Sequence, residues 1–207
     1  MTVHKTRGFS RRKFVAGLLT GVFGGGLAAN RAAEAAGDPE VFVSGIADQV
    51  MALANGGDSG TSLRGRFASL LNRYINLRAI ANYALGTYRS KLPAGKADQF
   101  YKLVNNYAAA LFVYYVDDFR GTNLAILSNT TQGKFVVIQS AIVQKKGGRE
   151  QVRWRLLPSG IGFQVSDVNI KGVWLTIAMK DRFTKVLKSS NGSFDALFAE
   201  LKSAETW

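Results

Sequence analysis

Between Glu40 and Ala54 the apolar residues Val43, Ile46, Ala47, Val50, Met51 and Ala54 recur every three or four positions, which predicts an amphipathic helix. Asn55-Gly56-Gly57-Asp58-Ser59-Gly60 breaks it, since glycine and small polar residues favour turns. The same period resumes from Ser62 through Phe67, Leu70, Leu71 and Tyr74, with Arg64, Arg66 and Arg73 on the other side. A shorter run, Leu77, Ile80, Ala81, Ala84 and Leu85, stops at Gly86. Beyond Lys91-Leu92-Pro93-Ala94-Gly95 lies the longest periodic segment. Phe100, Leu103, Val104, Tyr107, Leu111 and Tyr114 form one stripe, and Ala108, Phe112, Tyr115 and Phe119 form another beside it. So wide an apolar arc must be covered on most of its circumference, either by solid core or as the wall of a cavity.

After Phe119-Arg120-Gly121 the period drops to two. Leu124 to Leu127 and Lys134 to Val143 read as strands, and Phe135-Val136-Val137-Ile138, apolar on both faces, reads as a central one. Lys145 to Glu150, with Gly147-Gly148 inside it, is a hairpin turn. Val152, Trp154 and Leu156 alternate with Arg153 and Arg155, and Pro158-Ser159-Gly160 turns the chain again. Ile161, Phe163 and Val165 continue the alternation, which slips near Asp167 so that Val168 and Ile170 take over, the mark of a bulge. Val173, Leu175, Ile177 and Met179 predict a last strand. Phe183, Val186 and Leu187 return to helix, and after Asn191-Gly192 the residue Ser193 is the expected N-cap for Phe194, Leu197, Phe198 and Leu201. Helices, then an antiparallel sheet of about four to five twisted strands, then helices again make an α+β domain with the helices on one sheet face.

The first residues change the picture of where this domain works. Ser10-Arg11-Arg12-Lys13-Phe14 precedes the apolar, glycine-rich run Val15 to Ala29, the order of charged and apolar regions in a secretory signal. The paired arginines point to the twin-arginine route. The run is shorter than the roughly 20 residues that cross a bilayer. Ala33-Glu34-Ala35 is the expected cleavage site, with Ala28-Ala29 upstream as a competing position, so residues 1–35 are expected to be a signal peptide and 36–207 a single periplasmic domain. The net charge of +13 then points to anionic surfaces that an exported protein meets, membranes or acidic partners, and away from nucleic acid. Arg64, Arg66, Arg73, Arg78, Arg89, Lys180, Arg182, Lys185 and Lys188 are candidates for such docking, or simply solvated helix faces.

The chain has no cysteine, and its one histidine, His4, lies in the expected signal. This leaves no disulfide, thiol nucleophile, histidine-based triad or Cys/His zinc site in the domain. Two carboxylates alone can hydrolyse a glycoside, yet the acids are scattered. The adjacent pair Asp117-Asp118 sits where a helix ends, and neighbours in sequence point apart on a helix. Neither catalysis nor a cofactor is expected.

Three stretches, in order over most of the region from Glu40 to Leu201, resemble the MlaC, or toluene-tolerance, family of periplasmic phospholipid-binding proteins. They are Ile80-Ala81-Asn82-Tyr83-Ala84-Leu85-Gly86-Thr87-Tyr88-Arg89, the helix from Phe100 through Tyr107 and Leu111 to Tyr115, and Val165-Ser166-Asp167-Val168-Asn169-Ile170-Lys171-Gly172-Val173. The chain departs from the family pattern at Phe163 and Trp174, and a bulky indole at 174 would reshape a pocket if it pointed inward. The resemblance implies a carrier, expected to be a monomer, that holds diacyl phospholipid in an apolar cavity. It would move that lipid between an outer-membrane lipoprotein complex and an inner-membrane ABC transporter complex, maintaining outer-membrane lipid asymmetry. A hopanoid-associated branch of the family makes a rigid polycyclic lipid the alternative cargo. A periplasmic adaptor with a solid interior is the reading from another class.

The cavity is expected between helices and sheet, lined by a subset of Leu77, Ile80, Leu103, Leu111, Tyr115, Val136, Ile138, Trp154, Phe163, Val165, Leu175 and Ile177. Alternation establishes which face a side chain takes, and leaves open whether that face meets solid core or empty space.

Overall fold

The computed structural model of the protein describes residues 37–145, 147–160 and 162–206. The expected signal peptide, its cleavage site and Ile161 lie outside these. Four helices come first: α1 (Pro39–Asn55), α2 (Gly60–Tyr74), α3 (Leu77–Leu85) and α4 (Ala97–Tyr114). Asp38 starts α1 by accepting hydrogen bonds from the Glu40 and Val41 amides, and Pro39 fills a first-turn position where no N–H is needed. Asn76 caps α3 through the Ala79 amide at 2.9 Å. Gly86 ends α3 with φ 54°, in the left-handed region where glycine carries no steric cost.

Five strands follow as one antiparallel meander in the order β1 to β5: β1 (Gly121–Gln132), β2 (Phe135–Gln144), β3 (Arg149–Ser159), β4 (Gly162–Ile170) and β5 (Val173–Trp174). At Gly121 an added Cβ would stand 2.5 Å from Ile142 Cγ2 and 2.9 Å from Val143 O, so only glycine lets β1 meet β2 here. The phase slip near Asp167 is a bulge. Arg155 pairs with Asp167 and Leu156 with Val165, leaving Ser166 unmatched.

Two helices close the chain, α5 (Leu175–Ser189) and α6 (Phe194–Ser203), with Ser193 capping α6 through the Ala196 amide at 3.2 Å. The expected last strand is corrected here: Val173 and Trp174 are extended, whereas Leu175, Ile177 and Met179 are the opening of α5. Four alternating apolar residues fit a strand, but Leu175, Ala178 and Met179 also fit one helical face, and Met179, Phe183 and Leu187 continue it into the core. Asp167 decides the matter. Its carboxylate accepts from the Thr176 amide at 3.1 Å and the Thr176 hydroxyl at 2.6 Å, capping the helix from a neighbouring strand.

Helix α2 packs on α4, α3 on α5, and α1 lies across β1 and β2. One continuous core runs between these helices and the sheet, with Phe100, Phe183, Ile138 and Leu156 at its centre. No helix among the described residues is long and apolar enough to cross a membrane.

Candidate functional site

A cavity of about 450 Å³ opens between the helices and the sheet, within the roughly 300–1,000 Å³ typical of pockets that enclose a small ligand. Helix α1 contributes Ile46, Ala47 and Val50, α2 contributes Phe67, Leu70, Leu71 and Tyr74, and α4 contributes Tyr107, Ala108, Leu111 and Phe112. Ile142, Val152, Trp154, Val165, Val168 and Ile170 form the sheet wall, and Leu175, Ala178 and Met179 of α5 the end wall. Val165, Val152 and Met179 are fully buried, while Tyr115 is 51% and Val173 55% exposed. Depth therefore runs from the β3–β4 floor to a mouth framed by Tyr115, Asp118, Phe119, Lys171 and Val173.

The bulge at Ser166 makes this floor apolar. Without it, strict alternation would send Val165 and Asp167 to the same face. With it, Val168 and Ile170 join Val165 over the cavity. Asp167 and Asn169, each 2% exposed, turn to the opposite face. There Asp167 meets Thr176 and Arg155, the latter at 3.6 Å. Two of the polar side-chain atoms along the cavity are held in hydrogen bonds. Trp154 Nε1 donates to Ser140 Oγ at 2.9 Å, and Tyr74 Oη accepts from Gln49 Nε2 at 2.9 Å. Burial pushes the Tyr107 phenol above its usual range. Phe67 and Phe112 stack nearly parallel with ring centroids 3.7 Å apart, and Phe112 meets Phe119 at 5.0 Å, so the end of the cavity nearest the mouth is aromatic.

Among the described lining residues, the only carboxylate and ammonium are Asp118 and Lys171, and they bond to each other at 2.8 Å. Lys171 sits at φ 51° and Gly172 at φ 83°, the left-handed pair that folds β4 back into β5. Its hydrogen bond to Asp118 holds the ammonium above its ordinary pKa. Asp117 turns away to Arg120 at 2.8 Å, so the adjacent acids do not converge. No group of three potential metal ligands occurs among the described residues.

Of the twelve residues expected at the cavity, Leu111, Tyr115, Trp154, Val165 and Leu175 line it. Val136 and Ile138 share the register face of Trp154 and Ser140 but are covered by solid core, as are Leu77, Leu103 and Phe163, the last against Phe42 at 5.8 Å between ring centroids. Ile80 and Ile177 face a separate depression of about 300 Å³, together with Tyr83, Arg155 and Trp174. Trp174 therefore leaves the cavity untouched. Its ring lies under the Arg155 guanidinium at 4.1 Å. The sequence reading missed the α1 and α2 walls, whose residues carry the same three-and-four spacing as any core helix. Several candidate docking cations are paired within the protein: Arg66 with Asp58, Arg78 with Asp98 at 3.5 Å, and Arg182 with Glu200.

The sequence model described as "MlaC protein" matches residues 45–203. No curated protein matches the chain. Among solved structures, the chain is similar to a phospholipid-binding protein from Ralstonia solanacearum, in complex with a phospholipid. The two are 21% identical, with a TM-score of 0.66 over 82% of this chain and 97% of that one.

Proposed function

We propose, from the premise that the chain belongs to the MlaC family, that it is a periplasmic carrier that encloses the acyl chains of a diacyl phospholipid in the cavity between helices and sheet. The observation that carries this reading is the wall itself: apolar from floor to rim, with its charges confined to one pair at the mouth. About 0.8 kcal/mol opposes the passage of each methylene into water, so two chains of roughly thirty methylenes resist transfer by on the order of 20 kcal/mol. An apolar enclosure offsets that cost without any reacting group, and no catalytic constellation is needed. The phospholipid held by the Ralstonia solanacearum protein of the same fold supports the choice of cargo. A cavity of this size counts against an adaptor with a solid interior.

In this reading the expected signal peptide delivers the domain to the periplasm, where it exchanges lipid between an outer-membrane lipoprotein complex and an inner-membrane ABC transporter complex and so helps maintain outer-membrane lipid asymmetry. The test is organic extraction of the mildly purified protein followed by mass spectrometry. Diacyl phospholipid is the expected finding. A hopanoid would redirect the reading to a rigid cargo, and protein free of lipid after several mild preparations would overturn it.

A further inference from the structure

We propose that the mouth of the cavity is a zwitterion subsite, in which Lys171 receives the phosphate of a bound phospholipid and Asp118 receives the ammonium of the same headgroup. The inference rests on the carrier reading and adds to it a headgroup class: phosphatidylethanolamine-type lipids over lipids whose headgroup is purely anionic.

The placement of the charges makes the case. A lipid whose chains fill the cavity leaves its phosphate at the rim, and the rim holds the Asp118–Lys171 pair. The two residues come from different elements, Asp118 from the short 3-10 segment after α4 and Lys171 from the β4–β5 turn, so the pair joins two parts of the rim. Both side chains reach water, with Asp118 26% and Lys171 54% exposed. An exposed ion pair contributes little on its own, and exchanging it for two equivalent pairs with a ligand costs correspondingly little. A phosphoethanolamine headgroup carries opposite charges two carbons apart and offers that exchange, replacing one internal pair by two.

A purely anionic headgroup engages only Lys171 and leaves the Asp118 carboxylate facing the phosphate. Glu150 adds to this discrimination. It stands opposite Ile142 in the sheet register, on the cavity face, and close enough for its charge to bear on both Lys171 and Asp118. The pair at the mouth therefore has a second carboxylate beside it, although the chain as a whole is strongly basic. That neighbouring carboxylate disfavours a purely anionic headgroup at Lys171.

The experiment uses the full chain, stripped of lipid and incubated with vesicles of phosphatidylethanolamine and phosphatidylglycerol in equal amounts with identical acyl chains. Bound lipid is then quantified by headgroup. The expected result is a preference of roughly two- to fivefold for phosphatidylethanolamine, the scale of an exposed charge pair. Asp118→Asn should bring the ratio close to one by lowering uptake of phosphatidylethanolamine, and Lys171→Gln should lower uptake of both lipids. Uptake without preference in the wild type, or a preference that survives Asp118→Asn, would overturn the subsite and leave the carrier reading standing. Failure to take up either lipid would defeat the carrier reading and the subsite with it.

Discussion

Trp154 donates its indole N–H to the hydroxyl of Ser140 on the neighbouring strand at 2.9 Å, and the Ser140 hydroxyl in turn donates a hydrogen bond to the Val152 carbonyl at 2.9 Å. Both partners are buried, Ser140 to 1% and Trp154 to 7% exposure. The bond ties the largest side chain of the sheet wall to β2, which fixes the plane it presents to the cavity. Ser140→Ala leaves a buried indole N–H with no acceptor. The expected loss is about 1–3 kcal/mol of stability, read as a lower urea midpoint with an unchanged slope. Uptake of phospholipid should fall with it, because the indole is freed to tilt into the space.

Asp167 accepts from its neighbour in β4, the Val168 amide at 3.0 Å, and joins β4 to the start of α5 through two more bonds, from the Thr176 amide at 3.1 Å and the Thr176 hydroxyl at 2.6 Å. Trp174, at the N-cap position itself, supplies no side-chain bond. Asp167→Ala should therefore cost about 2–4 kcal/mol, combining a lost cap with newly orphaned donors. Hydrogen exchange should rise first at residues 176–179. Stability equal to wild type would show that the helix start is held by packing alone.

That same aspartate explains where the sequence was legible. The helical stripes of α1 to α4, the hairpin at Gly147-Gly148, the bulge near Asp167 and the cap at Ser193 depend on neighbours within a few residues, and all were readable from spacing. The strand expected through Leu175, Ile177 and Met179 failed because its alternative, a helix capped by a residue on another strand, depends on a contact nine positions away. The cavity was legible only in part for a related reason. Val168 and Val136 both face the helices, yet one meets space and the other is covered. The difference lies in how the helices lie over the sheet, which periodicity does not encode.

The start of α2 carries a pH-sensitive contact. Asp58, two residues before the helix, is bonded by the Arg66 guanidinium and by the Ser62 hydroxyl, the latter at 3.0 Å, and these bonds, Arg66 foremost, hold its carboxyl below the usual carboxylate range. A depressed carboxyl stabilises the folded state above its unfolded pKa and loses that contribution as pH falls through the folded value. Carbon-13 titration should place the Asp58 midpoint below that of an ordinary aspartate, and Arg66→Gln should return it toward the ordinary value. A midpoint indifferent to Arg66 would remove the ion pair as the cause. The effect on global stability should be small, because the pair is exposed to solvent.

Ala108 and Ala109 are successive residues of α4, both buried, and they separate filled core from cavity. Ala108 lines the cavity and Ala109 does not. A tryptophan at 108 has space to enter, so Ala108→Trp should hold or raise the melting temperature while occupying volume that the proposed carrier would give to acyl chain. Displacing two methylenes of a ligand forfeits about 1.6 kcal/mol, so affinity for a phospholipid should fall about tenfold or more. At 109 the same side chain must force apart a packed interior, at a cost of about 1–3 kcal/mol or more. The pair of variants separates an open site from a solid one. If both lose stability and neither changes the affinity that remains, the space beside Ala108 is not where the chains reside, and uptake must use another surface.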